Sequence, residues 1–139
     1  MGVRRFALIF GIIYLLVGLM GLVPAFLQAP TDDPGLAVDT LYGDLLGIFP
    51  VNIIHTLVHL LAGIGGILAS RAYDSARGYS RAVGILFAVL FLMGLVPGLN
   101  TLFGLAPLHG SDVWLHLLSA AAALYFGFAS RPVADTTTV

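Results

Sequence analysis

The residues of this chain that could do chemistry are four histidines and a handful of acids and amides. Asn52, His55 and His59 fall at spacings of three and four. At about 100° per residue, that spacing puts them on one narrow face of a helix. His109, Asp112 and His116 repeat it near the other end of the chain. Histidines at i and i+4 can put two imidazoles on one ion, and neutral imidazole suits zinc, copper, nickel or iron. The candidate metal ligands are therefore His55, His59, Asp112 and His116, with Asn52 and His109 as outer partners. The bland alternative is a hydrogen-bonded polar cluster that fixes helix register. Haem is a third reading, with His59 and His116 as axial ligands. It is disfavoured because Ala62 and Ser119, one turn deeper, imply helix backbones too close for a porphyrin. Met20 and Met93 could favour Cu(I) as thioethers, but methionine in an apolar helix is ordinarily packing.

The elements that must position these groups are set by composition. The chain has 139 residues, of which 59% are hydrophobic and 9% charged. Its mean hydropathy is +1.02. Soluble domains carry about 25% charged residues, and a chain this short leaves too much surface in water to hide such an apolar content. The chain reads as an all-α membrane protein. There is no cysteine, which excludes disulfides and thiolate metal sites. Lysine and glutamate are also absent, so arginine and aspartate carry the formal side-chain charge. Six scattered arginines give no nucleic-acid signature.

Four apolar runs are expected to be spans: Phe6 to about Leu27, about Pro50 to Ser70, about Ala82 to Leu99, and about Val113 to Ala129. Each is near the ~20 residues that cross the hydrocarbon layer. Arg4 and Arg5 precede the first run, Arg71, Arg77 and Arg81 separate the second from the third, and Arg131 follows the fourth. Asp32, Asp33, Asp39, Asp44 and Asp112 lie at the opposite boundaries. The positive-inside rule then puts both termini and the Arg71–Arg81 loop in the cytoplasm of a multi-pass plasma-membrane protein. Trp114 and Tyr42 are expected at the outer interface, and Tyr73 and Tyr79 at the inner one. The first run is too long and lacks a small-x-small site, so it reads as a permanent span rather than a cleaved signal.

The two halves resemble each other. Leu19-Met20-Gly21-Leu22-Val23-Pro24 recurs as Leu92-Met93-Gly94-Leu95-Val96-Pro97, and Gly11 matches Gly84. Gly47, Pro50 and His59 match Gly104, Pro107 and His116. Asn52 faces His109 in this alignment, His55 faces Asp112, and Thr31–Thr40 is an insertion in one copy. The expected architecture is a single domain over residues 1–139, a four-transmembrane-helix bundle of two parallel helical-hairpin repeats with N-in/C-in topology. The repeats cover about 4–71 and about 77–131, related by an axis along the membrane normal.

On this reading the second and fourth helices cross through Ala62, Gly66, Ser119 and Ala123 and hold the histidines between their outer ends. Pro50 and Pro107 sit at or near first turns, where a missing N–H costs nothing. His59 lies about 13 Å below Pro50 at 1.5 Å per residue, deep enough that an ionisable side chain needs partners. A through-membrane proton path is not expected, because the inner half of the stripe holds only Gly66, Ser70, Ala123 and Gly127. No nucleophile–base pair supports catalysis.

The pattern Asn52-x-x-His55-x-x-x-His59-Leu60-x-x-Gly63-x-x-Gly66, followed by Asp112-x-x-Leu115-His116, resembles a family of four-span bacterial membrane proteins known only as a domain of unknown function. The resemblance covers about residues 4 to 130. It implies an α-helical integral fold in the plasma membrane and supplies no activity, cofactor or catalytic residue. Two function classes follow. One is a structural or accessory subunit whose partners are the bilayer and a larger membrane complex or further copies of itself. The other is a membrane protein that binds zinc, copper or iron.

Overall fold

The structure, a computed structural model, describes residues 1–130. Arg131 and the end of the second expected repeat lie outside the described residues. Helix α1 runs Val3–Gly21, α2 Ile53–Ala69, α3 Tyr73–Gly94 and α4 Ser111–Ala129. Between α1 and α2 come a 3-10 turn, Pro24–Phe26, and three short strands, β1 Leu27–Gln28, β2 Gly43–Leu45 and β3 Phe49–Val51.

Helices α1, α3 and α4 are long and apolar enough to cross a membrane, and α2 is apolar but has 17 residues. The recurrent Leu-Met-Gly-Leu-Val-Pro string ends α1 and α3 in the same way. The N–H groups of Leu22 and Val23 turn back to the carbonyls of Leu19 and Met20, and those of Leu95 and Val96 to the carbonyls of Leu92 and Met93. The proline two residues on cannot continue a helix.

Several sequence boundaries need correction. Pro50 does not open α2. It lies in β3, opposite Asp44 of β2 in an antiparallel three-stranded sheet of order β1-β2-β3. A proline is tolerated there because β3 is an edge strand. Pro107 precedes α4 by several residues and also lies outside the helix. Helix α3 starts at Tyr73, so Arg77 and Arg81 are helical and the connection from α2 is only Ser70–Ala72. Tyr79 turns inward and donates to the Ala62 carbonyl at 2.7 Å.

The expected α2–α4 crossing is also overturned. Helix α2 packs on α1 and α4 on α3, while α1 and α3 approach across the centre. The small residues do bring backbones close, but within each of these pairs. A Cβ on Gly11 would meet the backbone of Ile67, Gly63 and Gly66 at 2.7–2.9 Å. A Cβ on Gly84 would meet Leu124 at 2.9 Å, and one on Gly127 would meet Arg81. Aromatic rings fill the centre instead. Phe10 stacks on Tyr14 at 4.4 Å, Tyr14 on Phe87 at 5.1 Å, and Phe6 on Phe126 at 4.6 Å between ring centroids.

The aspartate-rich end of the bundle is covered by the sheet and by the segment between β1 and β2. The N–H groups of Ala37 and Val38 donate to the Gly104 carbonyl at 2.8 and 3.3 Å, which straps that segment to the α3–α4 loop. Asp44 is buried in the sheet and accepts the Thr31 N–H at 3.1 Å.

Candidate metal centre

Asn52 decides where α2 begins. Its side-chain oxygen accepts the His55 N–H at 3.0 Å, the role of an N-cap. Its amide nitrogen donates to the carbonyls of Val38 at 2.8 Å and Leu105 at 2.7 Å. One buried side chain thus ties the helix start to the strap and to the α3–α4 loop. With α2 phased this way, His55 and His59 point into the bundle one turn apart, their ring centroids 4.5 Å from each other.

The partner side comes from α4. Gly110 precedes the helix with φ of 64°, a conformation that favours glycine. Asp112 then falls in the first turn, where the helix dipole favours a negative charge, and His116 lies one turn on. His116 stacks on His55 at 5.7 Å between centroids. One ring nitrogen from each of His55, His59 and His116 lies within 4.8 Å of the others. Asp112 stands beside this group, with Oδ2 3.3 Å from His116 Nδ1 and Oδ1 3.6 Å from His55 Nε2.

All four side chains are at most 4% exposed. Yet neither nitrogen of His116, nor Nε2 of His59, nor either oxygen of Asp112 has a hydrogen-bond partner among the described residues, and His55 approaches the Pro107 backbone without completing a hydrogen bond. Buried polar groups are nearly always paired, and an orphaned cluster calls for a ligand, a water or an ion. Three neutral imidazoles and a carboxylate are a donor set that fits a transition metal ion. They do not fit haem. Phe87 stacks on His116 at 5.3 Å and Tyr14 meets His59 edge-on at 5.1 Å, so rings occupy the slot a porphyrin would need. The close α2–α4 backbones expected from Ala62 and Ser119 are not what excludes it.

His109 does not join the group. Its Nδ1 lies 3.3 Å from Asp32 Oδ2 near the surface of the aspartate-rich end. Tyr42 sits in the same region and donates its hydroxyl to the Asp32 carbonyl at 3.0 Å. Burial and the Asp32 carboxylate push the Tyr42 phenol up, so it remains a donor.

Two residues that the sequence reading passed over help build the site. Tyr14 shares a 2.6 Å hydrogen bond with Ser119, which locks α1 to α4 one turn below His116. Tyr14 is the one hydroxyl-bearing residue in the Phe6–Leu27 run, a signal that could have marked it. Phe87 is fully buried and stacks on His116, and nothing in its sequence context set it apart.

Neither a curated protein nor a solved structure matches the chain. A family model does, over residues 4–129. The resemblance carried by the Asn/His/Gly pattern therefore extends over nearly the whole sequence, and the chain belongs to the family described as a domain of unknown function, DUF4383.

Proposed function

We propose that this is an integral membrane protein that holds a transition metal ion between α2 and α4. His55, His59 and His116 are the ligands, and Asp112 orients two of the rings and supplies negative charge. The observation that carries this reading is the set of buried, mutually close imidazole nitrogens without hydrogen-bond partners. Left empty, such a cluster costs desolvation energy with no return.

The chain forms one domain of two parallel hairpins, α1–α2 and α3–α4, embedded in a bacterial plasma membrane with both termini cytoplasmic. Matched contacts support the duplication. Gly11 meets Ile67 as Gly84 meets Leu124, and Gly21 meets Thr56 as Gly94 meets Val113. Leu46-Gly47 and Phe103-Gly104, which align, both adopt positive φ. Helix α2 crosses with the others, its 17 residues sitting at the short end of the spanning range.

Elemental analysis of the purified protein tests the metal. About one zinc, copper or iron per chain is expected, and His59→Ala should abolish it. A folded wild-type protein that carries no metal, and takes up none on titration, would refute the reading. It would favour the other class, an accessory subunit of a larger membrane complex.

A further inference from the structure

The arginine-rich end of the bundle holds an open cleft of about 840 Å³ between the start of α1 and the α2–α3 turn. Arg4, Arg5 and Arg71 line it, with Leu8, Ser70 and Tyr73. Arg4 Nε donates to the Ser70 carbonyl at 2.9 Å, which fixes its guanidinium at the cleft. The side chains of Arg5 and Arg71 make no hydrogen bond to the described residues, and no carboxylate among those residues lies within 4.0 Å of any of the three.

The other two described arginines are employed differently. Arg77 and Arg81 donate their Nε atoms to the Gly127 carbonyl at 3.3 and 2.9 Å, near the end of α4. Arg81 also lies over the Phe128 ring at 4.5 Å. The cleft arginines thus stand out as cations gathered from two parts of the chain around shared space, without a counter-charge among the described residues.

We propose that this cleft binds the phosphate of an anionic phospholipid headgroup. Guanidinium matches phosphate oxygens in a two-pronged geometry, and basic pockets at the ends of membrane helices take such headgroups. The volume is ample for a glycerophosphate group. Leu8 forms one wall and is 40% exposed, and Ile12, one turn along α1, is 43% exposed. An acyl chain continues from the headgroup along this apolar face, which is why the occupant is a lipid rather than a soluble anion. The inference stands apart from the metal reading and shares no residue with it.

The full-length protein in detergent is titrated with phosphatidylglycerol, phosphatidylcholine or inorganic phosphate, and followed by thermal melting and native mass spectrometry. Phosphatidylglycerol should bind and raise the melting temperature, and the other two should do so far less at equal concentration. Arg5→Gln and Arg71→Gln should each weaken that binding about fivefold, the effect of about 1 kcal/mol per basic residue. Both side chains are exposed, so lipid-free melting should not change. Equal stabilisation by phosphatidylcholine, equal stabilisation by inorganic phosphate, or unweakened binding by the double variant would each overturn the assignment.

Discussion

Replacing Asp112 by asparagine separates a metal centre from a polar cluster, because the two predict different signs. The carboxylate touches two rings, at 3.3 Å from His116 and 3.6 Å from His55. A carboxylate behind a ligating imidazole fixes its tautomer and raises its basicity, and losing one typically costs tenfold to a hundredfold in metal affinity. That is about 1.4–2.7 kcal/mol. Since Asp112 supports two rings, the upper end is expected, close to a hundredfold. Asparagine fills the same volume, so no cavity term confuses the result.

With the metal stripped, the prediction reverses. Asp112 is fully buried and its oxygens have no hydrogen-bond partner among the described residues, whereas an amide there can donate to a neutral imidazole nitrogen. Metal-free Asp112→Asn should then melt above metal-free wild type. The assay is competition against a chelator of known affinity, paired with melting curves in the presence and absence of that chelator. Unchanged metal affinity in the variant would refute the orienting role. A metal-free variant that melts lower than wild type would show that the carboxylate is satisfied by hydrogen bonds, and the polar-cluster reading would replace ours.

Further outcomes follow from the same geometry. Asn52→Ala removes a helix cap and two hydrogen bonds to loop carbonyls, and should cost about 2–3 kcal/mol of stability while metal content stays near wild type. A loss of metal equal to that of His59→Ala would make Asn52 a ligand instead. Gly11→Ala forces a Cβ into the α2 backbone, which cannot yield, and should destabilise by about 1–3 kcal/mol or more. Gly78→Ala, on α3 with nothing within 4 Å, should stabilise by about 0.5–1 kcal/mol, and the two melts together check the packing. Reporter fusions at Tyr79 and at the C terminus should read cytoplasmic and one after Pro34 external. Any other pattern defeats the orientation.

Much of the frame could be read from residue order. The apolar runs located the helices, because helix length and hydropathy are local properties that lipid rewards directly. Gly21 and Gly94, each three residues before a proline, marked two helix ends. The i, i+4 spacing put His55 with His59 and Asp112 with His116, since a helix fixes the angle between its own side chains whatever surrounds it. The short sheet between α1 and α2 was not visible, because strands of two or three residues carry too little alternation to register, and Pro50 argued for a helix start.

Tertiary structure decided how those helix faces meet. Periodicity gives the direction in which a side chain leaves its own axis and says nothing of which axis lies opposite. Gly66 and Ala123 were compatible with any close neighbour, and the neighbours turned out to be α1 for Gly66 and the aromatic centre for Ala123. His109 shares the spacing of Asp112 and His116, yet it precedes the first turn of α4 and is drawn to Asp32, a residue far away in sequence. Tyr14 and Phe87 came to wall the histidines only because α1 and α3 approach across the bundle centre. A contact of that kind depends on the phases of two helices at once and on the packing that joins them, and a linear pattern encodes each phase separately.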